Sequence, residues 1–130
     1  VKLGPAWYHV DVTWDDPVPD EERRVQYDYF LKSDRYMMQT HEWESNIKCT
    51  SDNYKIYGYH DYLCSDYASM RDVLYKQYPA KATLTFCFDQ NSELTYDIVM
   101  SYLTEQKVVD GTIYYYEKQI EEYIVLQIIR

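Results

Sequence analysis

The stretch that decides the fold class is SDYASMRDVLYKQYPAKATLTFCF, residues 65–88, in which a helical pattern passes directly into a strand pattern. Apolar or aromatic residues at positions 67, 70, 73, 74 and 78 have the i, i+3, i+4 spacing of an amphipathic helix over 65–78. Ser65 or Asp66 is suited to cap its start, and Pro79 is suited to end it. The following segment, 82–88, is typical of a strand.

The rest of the second half continues this alternation. A second helix is predicted over 92–106, with Ser92 as its N-cap and apolar residues at 94, 98, 99, 102 and 103. Two strands are predicted at 112–117 and 121–129, joined near 118–120 by a turn without the Asn-Gly or Asp-Gly signature of a tight hairpin. Residues 61–130 are therefore expected to form a small helix-strand-helix-strand-strand module, and the fold class is α+β.

The first half has weaker patterns. Residues 6–14 alternate like a strand, with Trp7, His9, Asp11 and Thr13 on one face, and the proline-broken, charged segment 15–24 predicts a loop. We predict a second strand at 27–31, then a short helical turn at 33–39 capped by Ser33. Residues 40–62 are predicted to be an irregular connection with a short strand near 54–59.

Composition excludes several classes of function. The 130-residue chain has a formal charge of -9, which argues against a nucleic-acid partner and against adsorption to an anionic membrane. Its 17 tyrosines suit half-buried sheets and binding surfaces. The three cysteines are odd in number and lack a CxxC spacing, which argues against a disulfide framework and a structural zinc site. One disulfide with a free thiol stays open, and no cofactor or metal site is expected.

Local chemistry in the first strand is limited to an acid beside an imidazole. Asp11 and His9 share a strand face, but a triad also needs a nucleophile within reach of the base, and the neighbouring sequence supplies none. A half-exposed histidine near an aspartate is the simpler interpretation. An oxygen-rich metal patch of His9, Asp11, Asp15 and Asp16 lacks the ligand spacing and central glycine of a calcium loop.

The segments WYHVDVTWDDPVPD, 7–20, and VQYDYFLKSD, 25–34, resemble the downstream end of the catalytic core of bacterial transglutaminase-like proteins. That superfamily uses a papain-like Cys-His-Asp triad, and its W-x-x-V-D-x-T strand carries the aspartate. Trp7, Val10, Asp11 and Thr13 match the motif, and the WDDP extension resembles one Gram-positive subgroup. The resemblance covers about residues 1–60, and it implies remnant antiparallel strands of that core followed by the appended module 61–130.

The resemblance implies one role for Asp11, which is to accept a hydrogen bond from the triad histidine. In the family the cysteine and the histidine precede the aspartate, whereas Val1 lies only ten residues before Asp11. We therefore expect a C-terminal fragment that is inactive alone, so whether this chain is itself an enzyme stays open. A protein or peptide would be the substrate once the missing core is restored. The full-length protein is expected outside the cell or at its surface.

Two internal segments imitate the missing parts. CSDYA, 64–68, is similar to the family's Cys-aromatic-Ala nucleophile motif, and HEW, 41–43, is similar to the H-x-W around its histidine. A cysteine at a helix N-terminus would have a lowered pKa. The order Asp11, His41, Cys64 is nevertheless one that circular permutation of Cys-His-Asp cannot produce. A small buried residue at Cys64 and a loop residue at His41 are the simpler interpretation.

A second hypothesis, from a different class, is a non-catalytic, tyrosine-rich, acidic interaction module whose aromatic surfaces bind glycan or peptide at a cell surface. Either way, the strand carrying Trp7, Tyr8 and Trp14 would lack its usual neighbour in the chain. Because an unpaired strand edge invites another chain, we expect a homodimer through the N-terminal strand, a domain swap or a disordered N-terminus.

Overall fold

The structure, a computed structural model, describes residues 1–16, 26–111 and 113–130; most of the predicted loop at 15–24 and the first residue of the strand predicted at 112–117 lie outside them. Short helices occur together with small antiparallel sheets, which confirms the α+β class at this level. The chain divides into two compact units, Val1–Gly58 and Tyr59–Arg130. This division lies two residues before the one expected from the sequence.

The second unit is organised around a three-stranded antiparallel sheet. Its strands are β5 (Thr83–Asp89), β6 (Tyr114–Ile120) and β7 (Tyr123–Ile129), and β7 lies between the other two. The predicted pair of C-terminal strands is confirmed, but the turn between them is at Glu121 and Glu122 and not near 118–120. Glu121 adopts a φ of 52°, so a residue other than Gly or Asn occupies the left-handed conformation of this tight turn, and the usual sequence signal is absent.

The first helix of this unit, α3, spans Tyr67–Gln77, as predicted from the 65–78 pattern. Of the two candidate caps the structure uses Asp66, whose carboxylate accepts a hydrogen bond from the Ser69 N–H. Ser69 in turn accepts from the Asp66 N–H, so the two residues form a reciprocal capping box. Pro79 follows the helix end.

The second helix, α4, spans Tyr96–Glu105 and is capped by Thr95, whose hydroxyl accepts from the Ile98 N–H. The predicted start at Ser92 is therefore wrong. The Ser92 hydroxyl donates instead to the Asp89 carbonyl and closes the turn that follows β5. A serine that bonds to the preceding backbone favours a turn over the first turn of a helix.

Residues of both helices and of strands β5 and β7 share one buried apolar core in this unit. Its buried members are Cys64, Met70, Val73, Leu74, Leu84, Phe86, Phe88, Leu94, Val99, Leu103, Val108, Val109, Leu126 and Ile128. These residues follow a helical spacing in α3 and α4 and alternate in β5. The same periodicities predicted these elements from the sequence.

The outer edge of β5 is covered by groups from outside the sheet. The Gln77 side chain accepts from the Thr85 N–H at 2.7 Å and donates to the Thr85 carbonyl at 2.8 Å. Two residues further along the same edge, the Cys64 N–H donates to the Cys87 carbonyl at 2.8 Å. These bonds occupy backbone groups that would otherwise form an open strand edge.

The first unit contains short paired strands. A hairpin joins β1 (Lys2–Leu3) to β2 (Ala6–Trp7), and β3 (His9–Val10) pairs with β4 (Phe30–Lys32). The prediction of one strand over 6–14 is therefore wrong. Its second part is a short helix, α1 (Val12–Asp15), which begins because the Asp11 carboxylate caps the Trp14 N–H.

The pairing of β3 with β4 contains a bulge at Leu31. His9 pairs with Lys32 and Val10 with Phe30, so Leu31 is the extra residue, and its φ is 55°. The next helix, α2 (Asp34–Met37), begins immediately after the strand and is capped by Ser33, as predicted. The strand predicted at 27–31 is thus displaced toward Lys32.

Residues 40–58, all of them described, contain neither a helix nor a strand, so the strand predicted near 54–59 is wrong and turns occupy 53–59. The irregular connection predicted over 40–62 is confirmed for 40–58, and a 3-10 helix occupies His60–Tyr62. Among the described residues, no helix combines the length and the apolar character needed to cross a bilayer.

Candidate functional site

Asp11 lies where β3 ends and α1 begins, and both of its carboxylate oxygens accept hydrogen bonds. Oδ1 accepts from the Trp14 N–H at 3.1 Å, and Oδ2 lies 2.9 Å from His41 Nε2. The Asp11 N–H donates to the Tyr29 carbonyl at 2.8 Å and so extends the β3–β4 pairing by one residue. The carboxylate is therefore held at both oxygens and through its own backbone.

The tautomer of His41 follows from its two partners. A carboxylate can only accept, so Nε2 carries the proton shared with Asp11. In the neutral ring Nδ1 is then an acceptor, and the Thr40 hydroxyl lies 2.7 Å from it as donor. Hydroxyl, imidazole and carboxylate thus form one directional chain of hydrogen bonds.

Aromatic rings surround the His41 imidazole. The Trp14 ring centroid lies 4.3 Å from that of His41, and the Tyr29 centroid lies 5.2 Å from it. Trp14 itself is half exposed, whereas the side chain of His41 is largely covered. The ring of His41 is therefore fixed by packing as well as by hydrogen bonds.

These contacts keep Asp11 ionised. The Trp14 N–H and the His41 hydrogen bond lower the pKa of the carboxyl below its ordinary value, and they outweigh the opposing effect of burial. Tyr29, which packs on the same imidazole, has its phenol pKa raised by burial and by the nearby Asp28 and Asp15 carboxylates. At neutral pH the cluster therefore combines an anionic Asp11 with a neutral phenol.

A second histidine-aspartate pair lies in the same unit. His9 Nε2 is 2.6 Å from Asp34 Oδ1, and the Trp43 ring centroid lies 4.4 Å from that of His9. Burial acts to raise the pKa of Asp34, but the hydrogen bonds from His9 and from the Cys49 N–H outweigh it and lower the pKa overall. Asp34 is therefore ionised at neutral pH as well.

Cys49 lies against this second pair. Its N–H donates to Asp34 Oδ2 at 3.1 Å, and its carbonyl accepts from the Asp34 N–H at 2.6 Å. The thiol is free and buried, and burial together with the Asp34 charge raises its pKa. The ligand atoms of His9, Asp34 and Cys49 all lie within 4.8 Å of one another.

His9 and Asp11 do not interact with each other as the sequence predicted. His9 and Asp11 were expected to share a strand face, but His9 pairs with Asp34 and Asp11 pairs with His41. Both pairs join residues at least 25 positions apart, which no local pattern indicates. The only sequence signal for either partner was the resemblance of HEW, 41–43, to a histidine motif.

The oxygen-rich metal patch considered from the sequence is not assembled in that form. The Asp15 carboxylate accepts from the Tyr29 N–H at 2.8 Å, which ties the end of α1 to the start of β4. Of the candidate ligands, only His9 belongs to a cluster with metal-binding side chains among the residues that the structure describes.

Cys64 has none of the properties of an activated nucleophile. It lies in the second unit, three residues before the start of α3, and it is 3% exposed. Burial and the Asp66 carboxylate raise the pKa of its thiol to about 12, so the lowered pKa considered from the sequence is wrong. The simpler interpretation of a small buried residue is confirmed.

His60 and Asp61, 3.3 Å apart, form a solvent-exposed pair in a 3-10 turn.

No family model, no curated protein and no solved structure matches the chain.

Proposed function

We propose that this chain supplies the acid of a Cys-His-Asp site in a transglutaminase-like cysteine enzyme, with Asp11 in that role. The cysteine and the base would belong to a segment outside residues 1–130, and a protein or peptide amide would be the substrate. Asp11 acts through the imidazole it orients, so it is a positioning residue. The chain is expected to be inactive without the cysteine and the base.

The observation that carries the proposal is the state of the Asp11 carboxylate. An aspartate in this role must stay ionised, must be fixed in direction and must accept an imidazole N–H. Asp11 has a lowered pKa, is held through Oδ1 by the Trp14 N–H, and already accepts from His41. These are the properties of an acid that selects one histidine tautomer.

The presence of His41 is compatible with a further histidine. A carboxylate offers about four acceptor positions, and the Asp11 carboxylate uses them for the Trp14 N–H, for His41 Nε2 and for a weaker contact with the Thr13 N–H, so about one remains. The Nδ1 atom of His41 already faces the Thr40 hydroxyl. We therefore assign His41 to holding Asp11, and the base to the proposed preceding segment.

The test joins this chain to the segment encoded immediately upstream of Val1 in its natural gene and compares Asp11→Asn, His41→Gln and Asp61→Asn. Iodoacetamide alkylation of the upstream cysteine, followed by mass spectrometry across pH, reports its reactivity without knowledge of the substrate. Asp11→Asn should shift that pH profile and, with a peptide amide substrate, lower kcat by about 10⁴-fold. The exposed Asp61 is the control and should change neither quantity.

His41→Gln distinguishes the two possible bases. If His41 only holds Asp11, the variant should keep most of the activity, because the glutamine amide can still donate to the carboxylate. A loss as large as that of Asp11→Asn would make His41 the base. An unchanged pH profile and kcat in Asp11→Asn, with the folded state verified by circular dichroism, would overturn the proposal.

A second candidate function, a binding module for glycan or peptide, is favoured by the tryptophans of the first unit. Trp7, Trp14 and Trp43 are all substantially exposed. Two of them, Trp14 and Trp43, pack on histidines that are themselves paired with aspartates, so their rings are held in place before any ligand binds. Preorganised, exposed aromatic rings are the usual platform for such ligands.

This second candidate is tested by tryptophan fluorescence during titration with panels of soluble oligosaccharides and short peptides. Saturable quenching that weakens at least about 10-fold in Trp14→Ala would support a binding module. Tyr75→Ala, an exposed ring on α3, is the matched control and should leave the affinity unchanged. A flat titration with both panels would remove this candidate.

A further inference from the structure

Three side chains from separate segments of the first unit converge on one point. His9 comes from β3, Asp34 from the start of α2, and Cys49 from the irregular segment that follows. Their ligand atoms lie within 4.8 Å of one another, and none of the three has a role in the proposed function of Asp11. We propose that His9, Asp34 and Cys49 form a three-ligand site for a divalent cation of the zinc class.

The donor set selects this class of metal. One imidazole nitrogen, one carboxylate oxygen and one thiolate sulfur are the three ligand types that Zn²⁺ takes in proteins. Calcium and magnesium prefer oxygen donors alone, so the sulfur and nitrogen disfavour them. Three protein ligands leave the fourth tetrahedral position for water or a small ligand, as in open zinc sites.

Binding requires the three ligand atoms to move to the spacing of a tetrahedral ion. Ligand atoms about 2.0–2.3 Å from a tetrahedral zinc ion lie about 3.4–3.6 Å from one another. His9 Nε2 and Asp34 Oδ1 are now 2.6 Å apart, as a hydrogen-bonded pair. They would separate by about 0.8–1.0 Å when the cation replaces the shared proton. A pair of ligand atoms at the 4.8 Å limit would have to approach by about 1.2–1.4 Å, and side-chain rotation can supply movements of this size.

The backbone around the three ligands is already fixed. His9 pairs with Lys32 across the β3–β4 ladder, and Asp34 follows Lys32 by two residues. Asp34 and Cys49 are joined by two hydrogen bonds that involve the backbone of both residues. Binding would therefore order few additional groups, which favours affinity.

Burial and charge also fit a cation. Cys49 is buried, whereas the side chains of His9 and Asp34 are partly exposed to solvent. Asp34 supplies one negative charge and the Cys49 thiolate would supply the second, its proton passing to solvent on binding. The Trp43 ring packs on His9 and holds its imidazole in orientation.

The experiment is a titration of the reduced, metal-free chain with Co²⁺, a spectroscopic substitute for Zn²⁺. A 1:1 complex should show the ligand-field bands of a tetrahedral ion together with a charge-transfer band that requires a cobalt-thiolate bond. Excess Zn²⁺ should abolish both. Wild-type protein that shows no charge-transfer band at saturating Co²⁺ would overturn the proposal.

Variants assign the ligands. His9→Gln and Cys49→Ser should each weaken binding by at least about 100-fold, because even the loss of a group outside the ligand set often costs 10–100-fold. His41→Gln is the matched control, since His41 belongs to a similar histidine-aspartate pair without a thiol, and its affinity should stay within about twofold of the wild type. Equal losses in His9→Gln and His41→Gln would contradict the assignment.

A final variant tests the Cys49 ligand without replacing Cys49, in case Cys49→Ser fails to fold. The chain has three cysteines, so the double variant Cys64→Ser, Cys87→Ser leaves Cys49 as its single thiol. The charge-transfer band should persist in this folded double variant, and its disappearance would place the thiolate elsewhere. Because the readout is spectroscopic and uses this chain alone, it is independent of the role of Asp11 in any enzyme.

Discussion

The Gln77 side chain is expected to carry an unusually large share of the stability of the second unit. It is 2% exposed and bonds both the N–H and the carbonyl of Thr85, at 2.7 and 2.8 Å. Replacing it by leucine keeps a similar volume but leaves two buried backbone groups unpaired. At about 1–3 kcal/mol for each unsatisfied group, Gln77→Leu should lower the free energy of unfolding by about 2–6 kcal/mol.

That loss is large in relation to the stability available. A unit of 72 residues has a total stability of about 4–11 kcal/mol at the usual values per residue. The assay is urea unfolding followed by circular dichroism, together with hydrogen exchange of the Thr85 amide. Lys76→Leu, one position earlier on the exposed face of α3, is the control. A Gln77→Leu protein within about 0.5 kcal/mol of wild type, with a protected Thr85 amide, would refute the reasoning.

Gln77→Glu tests the same contacts through the direction in which the free energy of unfolding changes with pH. An ionised glutamate can accept from the Thr85 N–H, but it faces the Thr85 carbonyl with no proton to donate. Burial and this carbonyl should raise the folded pKa of the new carboxyl above its unfolded value. The protonated carboxyl then stabilises the folded state fully at pH values below its pKa in the unfolded chain. This contribution is lost as the pH rises through its pKa in the folded protein. Stability that is independent of pH, relative to wild type, would contradict this account.

Three further predictions concern other groups. The ¹⁵N chemical shifts of His41 should report a proton on Nε2. Thr40→Val should increase the population protonated on Nδ1, because it removes the hydroxyl that donates to this atom. The opposite tautomer in the wild type would contradict the hydrogen-bond assignment. The pKa of Cys64 is raised to about 12, so iodoacetamide at pH 9 should modify this thiol at least about 100-fold more slowly in the native protein than in urea. Similar rates in the two states would show that the thiol is accessible and ionised in the native protein. The homodimer expected through the N-terminal strand stays a prediction, although the structure pairs β2 with β1 and β3 with β4, so that a second copy would have to add to the edges of these two-stranded sheets. Light scattering should give a dimer mass that Trp7→Lys reduces, and a concentration-independent monomer would refute it.

The second unit was largely predictable from the sequence because its signals are local. The periodicity around Met70, Val73 and Leu74 identifies α3, and the apolar run in β5 identifies a buried strand. The errors lie where a side chain bonds to nearby backbone or a residue adopts an unusual conformation. Ser92 closes a turn and does not begin α4, and Glu121 adopts a positive φ without being Gly or Asn.

The candidate site was predictable only in part, because its contacts are not local. The resemblance singled out Asp11, but the strand around it was predicted too long, since alternation does not reveal that its carboxylate caps α1. The positive φ of Leu31, at the register shift beside His9, has no sequence signature in a leucine, and the pairing of His9 with Asp34 joins residues 25 positions apart. Cys49 was considered only as one of an odd number of cysteines, because a site assembled from three distant segments has no spacing motif.

We propose that Asp11 belongs to a Cys-His-Asp site completed by a preceding segment. The most direct test of this proposal is to sequence the coding DNA immediately upstream of Val1. We predict a continuous reading frame that carries a Cys-aromatic-Ala motif followed by an H-x-W motif. A start codon at that point, or a frame that encodes an unrelated segment, would leave Asp11 with His41 as its only imidazole partner among the described residues and would contradict the claim.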